Sequence, residues 1–306
     1  VSALCDDLQK KAILIAGDEN EGKRLCEDLK GLGNDPLFYT ARDYIFRNVD
    51  GYSREYEHER LRVLSRMLSG KYTQVVCTAD AAMQLILPPE ELKRHSFRLK
   101  PGDTAAPEEI IRRLVMCGYA RAEQVEGPGQ FALRGGILDI FPPNLAAPVR
   151  MEFWGNEIDS MAEFDPLTQR RTDAVKSLSV TPAAEVLFES LDSLAEKLEG
   201  LASSLRGKRE EAVKKHIESE ADRLRAGERL SGMDQYFTLC IPQPASLFDY
   251  APEALVFLSE SAKVKERMRT FTWQLSEDIK GLMEEGILSR RQTGFFLDET
   301  GLLSRL

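Results

Sequence analysis

Residues 130–171 read QFALRGGILDIFPPNLAAPVRMEFWGNEIDSMAEFDPLTQRR, and their alternation marks this part of the chain as sheet. Side chains of a strand point to opposite faces in turn, so Val149, Met151 and Phe153 face one way, and Arg150, Glu152 and Trp154 the other. Over 131–134 the same rule sends Phe131 and Leu133 inward and Arg134 outward. Gly135-Gly136 then marks a bulge or tight bend, the apolar run 137–141 resumes the sheet, and Pro142-Pro143 ends it because proline cannot donate to a ladder. Gly155-Asn156 turns Val149–Trp154 back into Glu157–Phe164, which makes a β-meander. The outward face thus carries two arginines and a tryptophan where a simple sheet would carry Thr, Lys or Glu. Exposed Arg and aromatic residues dominate protein-binding hot spots, so this face is the candidate functional surface. The ordinary alternative for an outward Trp is partial cover by a neighbouring loop. Asp139 is expected to satisfy backbone donors near Gly135-Gly136, and Asp165 before Pro166 to start a turn. Neither is assigned acid-base work.

With 306 residues and 42% hydrophobic content, the chain can bury a sizeable core and is expected to form two or more domains. Its five cysteines are odd in number and scattered without a C-x-x-C, which points to reduced thiols of a cytoplasmic protein and to neither a disulfide framework nor a zinc site. The start at Val1 is read as a domain boundary, with no signal peptide, and no apolar run nears membrane-spanning length. The net charge of −9 opposes a surface that holds nucleic acid, because such binding neutralises phosphates with Lys and Arg. Arg134, Arg150, Arg170 and Arg171 either form a local basic patch or lie scattered. His58, His95 and His216 have no metal or nucleophile spacing, and the charged segment 54–60 around His58 reads as a solvated helix face.

Residues 1–116 read as α/β. Ala12–Ala16, Leu37–Tyr39 and Gln74–Thr78 are the strand candidates, the first and last being short apolar runs suited to a parallel sheet covered on both faces. Ser53 can cap a helix in which Leu61, Leu64 and Leu68 recur, and Pro107 opens another. Leu191, Leu194, Leu198, Leu201 and Leu205 make a helix packed on its own domain, and 208–229 reads as an exposed helix or helical connection. Strands are expected to return in YFTLCIP (236–242) and ALVFLSE (254–260).

Residues 17–24, GDENEGKR, follow the first strand candidate and fit G-x-x-x-x-G-K. The mechanics fail at the next position. Arg24 stands where Ser or Thr must hold Mg²⁺, and Asp18, Glu19 and Glu21 set carboxylates where phosphates would lie.

The runs PGQFALRGGILDIFPP and PVRMEFWGNEIDSMAEFDPLTQRR resemble the UvrB-like N-terminal module of bacterial transcription-repair coupling factors (Mfd). EHERLRVLSRML, YTQVVCTADAAMQLILP, CGYARAEQVEGPGQF and SLFDYAPEALVFLSE extend the resemblance in family order to essentially the whole chain. UvrB has a similar FxxRGxxxDIFP stretch, but it carries a working P-loop and helicase motifs. The resemblance implies an α/β, P-loop-NTPase-like (UvrB domain 1-like) parallel-sheet domain, discontinuous, with an inserted β-rich UvrA-binding domain. Its divisions would be 1–116, 117–188, and 189–306 as helical connection and completion of the sheet. By alignment the P-loop's place would lie just upstream of Val1, and the family implies that it is lost. This fragment would then be no enzyme and hold no cofactor or metal. ATP and Mg²⁺ would belong to the motor of the full-length translocase, which meets RNA polymerase and DNA through other domains. The implied partner is UvrA, for which UvrB competes with a similar face, and a C-terminal domain absent here would mask the face at rest. The family's UvrA-contacting positions, two arginines and an aromatic, fall by motif on Arg134 in FALRGG, Arg150 in PVRMEF and Trp154 in RMEFW. Trp154 stands where Phe is usual. The three are expected to be exposed in one patch, so that replacing them leaves the domain folded. The alternative reading is a fragment of a UvrB-type nucleotide-dependent helicase, and Arg24 separates the two. Calorimetry with Mg-ATP is expected to give no heat of binding, and micromolar binding lost on Lys23→Ala would overturn this expectation.

Overall fold

The computed structural model describes residues 1–49, 51 and 53–305. Twelve strands run among the described residues: β1 (Ala12–Ala16), β2 (Leu37–Tyr39), β3 (Gln74–Thr78), β4 (Phe97–Leu99), β5 (Ala120–Arg121), β6 (Gln130–Arg134), β7 (Ile137–Phe141), β8 (Val149–Trp154), β9 (Glu157–Phe164), β10 (Arg171–Ala174), β11 (Leu178–Val180) and β12 (Leu255–Leu258). The chain divides into two compact units. One comprises Val1–Ser53, Arg66–Pro88 and Phe188–Leu306, the other Arg54–Ser65 and Pro89–Leu187. The stretch 89–116, read above with the first domain, falls in the second unit.

The first unit holds a parallel sheet in the order β12-β1-β3-β2. β1 and β3 are buried at every position, as strands covered on both faces must be, and their apolar runs supply the side chains for it. β12 returns from the far end of the chain to pair with β1, Ala12 opposite Leu255 and Ile15 opposite Leu258, so this unit is discontinuous in sequence. The helix Leu191–Ser204 starts at Ser190, whose side chain accepts the Ser193 N–H at 3.0 Å. Leu194, Leu198 and Leu201 pack with Val213, Ile217, Ala221 and Leu224 of the helix Glu211–Arg225. The segment 208–229 is therefore more than an exposed connection: one side of it is core.

The expectation of a strand in YFTLCIP is overturned. A 3-10 turn, Met233–Tyr236, runs into a short helix, Phe237–Cys240. The buried Asp234 carboxylate accepts both terminal nitrogens of Arg42 at 2.7 Å and the Ile45 N–H at 2.6 Å. That ion pair fixes a turn just where Tyr-Phe-Thr would favour extension, and strand preference yields to tertiary context.

The second unit is built on a six-stranded sheet, β10-β9-β8-β7-β6-β5, antiparallel except for the pairing of β5 with β6, and a small sheet of β11 with β4. Phe131, Leu138, Ile140, Val149, Met151, Ile158 and Met161 from one face form a core with Ile110 and Leu114 of the helix Pro107–Met116, in which Pro107 takes the first position. The Gly-Gly pair closes a two-residue hairpin, Arg134 opposite Ile137, and Gly155-Asn156 another, Trp154 opposite Glu157. Gly135 and Gly155 sit at φ 60° and 62°, where a side chain would be strained. An extra residue in β9 makes a bulge opposite Glu152 and Phe153, yet β8 keeps its alternation.

The solvated face expected of 54–60 holds at Glu55 and Tyr56, which are exposed, and is overturned at Arg60. The helix spans Glu55–Leu68, and the His58 N–H donates to the carbonyl of Arg54, one residue past the Ser53 expected as cap. Arg60 is 1% exposed and forms an ion pair with fully buried Glu185 at 2.6 Å. The Glu57 carboxylate accepts the Glu185 N–H at 2.8 Å. His58 Nε2 lies 3.2 Å from the Ala183 carbonyl, which only accepts, so this nitrogen carries the proton. Gly129 leaves room for the ring, since a Cβ there would come within 2.8 Å of it. These polar groups face inward because each finds a partner there; the charge density of the segment hid the pairing.

Burial, reinforced by nearby Arg54, lowers the His58 pKa to about 4. Between that value and the ordinary ~6.5 of an unfolded histidine the unfolded chain binds more protons, so stability falls as pH drops through this window. Urea melts are expected to show about 2 kcal/mol lost from this residue between pH 7 and pH 5. His58→Gln should flatten that dependence, and an unchanged slope in the variant would refute the assignment.

Candidate partner-binding face

Register alone brings the two sequence-predicted arginines together. Asp139 of β7 stands opposite Arg150 of β8, and Arg134 of β6 pairs with Ile137, two residues from Asp139 on the same face. Asp139 is 1% exposed, and it does not serve backbone donors at the glycine pair as expected. Its Oδ1 accepts Arg150 Nε at 2.7 Å, and its Oδ2 accepts one terminal nitrogen each from Arg150 and Arg134, at 2.8 and 2.9 Å. A two-toothed guanidinium-carboxylate pair of this kind is among the stronger polar contacts in proteins. The hydrogen bonds that Arg150 donates to Asp139 raise the Arg150 pKa above its ordinary value.

Arg150 is fixed on its remaining sides too. Its terminal nitrogens donate to the carbonyl and the side-chain Oε1 of Gln169 at 3.1 and 3.0 Å, and its guanidinium lies 4.5 Å from the centre of the Phe164 ring. Its side chain is therefore only 13% exposed, against 48% for Arg134. The expectation that both would project freely is corrected: the buried acid draws Arg150 down onto the sheet. Trp154 ends β8 on the same side and is 83% exposed, with no loop covering it. Two strand spacings of ~5 Å and two residues of rise separate its position from that of Arg134.

The face is neither uniformly wet nor uniformly basic. Ala132, Phe141 and Phe164 on it form a small apolar cluster with Val125. Glu152 accepts from Arg171 and, at 3.0 Å, from Ser160 Oγ, so acids alternate with arginines here and no uniform basic patch forms. Asp139, Gln169 and the exposed Leu167 were missed as site residues. A buried acid between two outward arginines is foreshadowed only by Arg134 and Arg150 flanking Asp139 on successive strands.

The P-loop-like segment of the other unit is filled from within. Asp18 caps the helix Glu19–Gly31, its side chain accepting the Glu21 N–H at 2.8 Å. Glu21, 9% exposed, accepts the Gly17 N–H at 2.9 Å and the Ser259 hydroxyl at 2.6 Å. Its carboxylate thus takes the backbone donor that a phosphate would need.

Residues 97–186 match the family model of the UvrB interaction domain. The chain is 31% identical over 295 residues to the transcription-repair-coupling factor of Bacillus subtilis (strain 168), an overlap of 93% of this chain and 25% of that protein. It is 27% identical over 287 residues to the corresponding protein of Staphylococcus haemolyticus (strain JCSC1435), across 91% of this chain and 24% of that one. The figures for the Haemophilus influenzae protein are 28% over 260 residues, 84% and 22%. The chain spans about a quarter of the length of these curated relatives.

Arg150→Ala leaves buried Asp139 with a single partner and is expected to cost about 2–4 kcal/mol in urea denaturation. Trp154→Ala should stay within about 0.5 kcal/mol of the parent. An Arg150→Ala variant as stable as the parent would refute the clamp.

Proposed function

We propose that this chain, which belongs to the transcription-repair coupling factor family and carries its UvrB interaction domain, is a non-catalytic module that recruits UvrA in transcription-coupled nucleotide excision repair. The observation that carries this reading is the Asp139 clamp, which holds Arg134 and Arg150 on one rigid face with an uncovered Trp154. Side chains already held in place lose little freedom on association, so more of the contact energy appears as affinity. Two cations share one acid here, and the remaining positive charge suits an acidic group on the partner.

The α/β unit supports the same reading from the other side. The G-x-x-x-x-G-K match at 17–24 lies downstream of the place where the family alignment sets the P-loop, and it offers no nucleotide site of its own. Glu21 puts a carboxylate in that turn, and Arg24 offers no oxygen to Mg²⁺. ATP and Mg²⁺ are assigned to the motor of the whole protein, together with its dealings with RNA polymerase and duplex DNA. An acidic fragment of net charge −9 neutralises too few phosphates to hold DNA by itself.

Trp154 is the contact through which recruitment can be tested without disturbing the fold, because its side chain is exposed, whereas Arg134 also holds buried Asp139. In a titration of UvrA, Arg134→Glu and Trp154→Ala are each expected to lose about 2 kcal/mol or more, roughly thirtyfold in affinity; the thermal melt of Trp154→Ala stays near the parent's, and that of Arg134→Glu falls because a second acid then faces buried Asp139. Lys208→Ala, in the other unit, should bind as the parent does. Retention of full affinity by both face variants would reject the proposal.

A further inference from the structure

The turn between β9 and β10 is held more firmly than a solvent loop requires. Asp165 Oδ1 accepts the backbone N–H groups of Leu167 at 2.7 Å and Thr168 at 3.0 Å. The Gln169 N–H donates to the Asp165 carbonyl at 2.7 Å, and the Asp165 N–H to the Arg170 carbonyl at 3.0 Å. Gln169 sits at φ 60°, a conformation that side-chain-bearing residues seldom adopt. Its amide explains why it is tolerated here: Nε2 donates to the Pro166 carbonyl at 2.8 Å, while Oε1 and the backbone carbonyl both accept from Arg150. At the tip of this frame Leu167 is 91% exposed, the barest large apolar residue of the unit.

We propose that Leu167 is a contact residue of the UvrA-binding surface and that Gln169 is the positioning residue that ties its turn to the arginine clamp. This inference rests on the recruitment reading and extends it to a segment that lies outside the strands bearing Arg134, Arg150 and Trp154. Trp154 lies at one end of the β8-β9 pair, opposite Glu157, and the 165–170 turn follows Phe164 at the other. Eight residues of β9 at ~3.3 Å each set these ends about 25 Å apart, which fits within one interface of ~800 Å² per partner. The arginines stand between them. The partner implied is a surface with an acidic group opposite Arg134 and two apolar seats, one for the indole and one for the leucine. A rigid turn makes the leucine effective, since nothing must be ordered when it docks.

The test is a UvrA titration of the parent chain, Arg134→Glu, Leu167→Ser, Leu167→Met, Gln169→Gly and the double variant Leu167→Ser/Gln169→Gly. Leu167→Ser is expected to weaken binding by roughly tenfold or more, and Leu167→Met to stay within about threefold. Glycine at 169 keeps the left-handed backbone and removes the amide bridge, so Gln169→Gly should weaken binding with the melt little changed. If Gln169 acts through Leu167, its replacement adds nothing in the Leu167→Ser background, and additive losses would overturn that role. Parent-like affinity in Leu167→Ser, with Arg134→Glu weakened, overturns the inference and leaves recruitment standing. A parent chain that fails to bind UvrA overturns both.

Discussion

A carboxylate removed from water carries a penalty of several kcal/mol unless cations and donors surround it, and Asp139 at 1% exposure imposes that condition on the outer face of the β-rich unit. Arg150 answers it with two teeth and Arg134 with one. The rest of the face follows from this pairing. Arg150, drawn onto the sheet, presents its other edge to Gln169 and its plane to Phe164, so the 165–170 turn is anchored and the apolar cluster beneath it is closed. The two arginines consequently differ in what they offer a partner. Arg150 is chiefly the element that fixes the turn, whereas Arg134, half exposed, presents a cation that the shared acid only partly neutralises.

Internal acids recur where the chain has to leave regular structure. Asp234 turns 233–240 into helix by gathering Arg42 and the Ile45 N–H, Glu185 pairs with Arg60 inside the β-rich unit, and Glu21 satisfies the donor at Gly17. Like Asp139, Asp234 and Glu185 each position an arginine. Glu21 instead takes the Gly17 N–H and the Ser259 hydroxyl at the turn that opens its helix. An acidic chain thus uses part of its negative charge inside, paired with its own arginines.

Two arrangements of strands serve different ends. The parallel sheet depends on β12, which reaches β1 only after the β-rich unit and the helices 191–204 and 211–225 have been traversed, a pairing of high sequence separation. The meander β6 to β9 is made of neighbours joined by two-residue turns, and its face is rigid by local connection. The locally connected sheet carries Arg134, Arg150 and Trp154, and the long-range one joins distant parts of the chain.

Local sterics and period made much of this legible from the sequence. The bounds of β1, β2, β3 and β8, the turns at Gly135 and Gly155, Pro107 at a helix start and the outward direction of Arg134, Arg150 and Trp154 all rest on interactions within a few residues, which a sequence states directly. What failed was whatever turned on a distant partner. Tyr236 and Phe237 carry strand preference, but Asp234 meets Arg42 across 192 positions and makes a turn. The charges of 54–60 read as solvated until Glu185, 125 positions on, takes Arg60 inside. Exposure of Arg150 was misjudged for the same reason, since alternation gives a side chain's direction and says nothing of the acid 11 positions before it or the glutamine 19 after. The sequence by itself determined which residues share a face; only the tertiary structure decided which of them are pinned and which are free to meet a partner, because ion pairs form between whichever segments folding brings within hydrogen-bond reach.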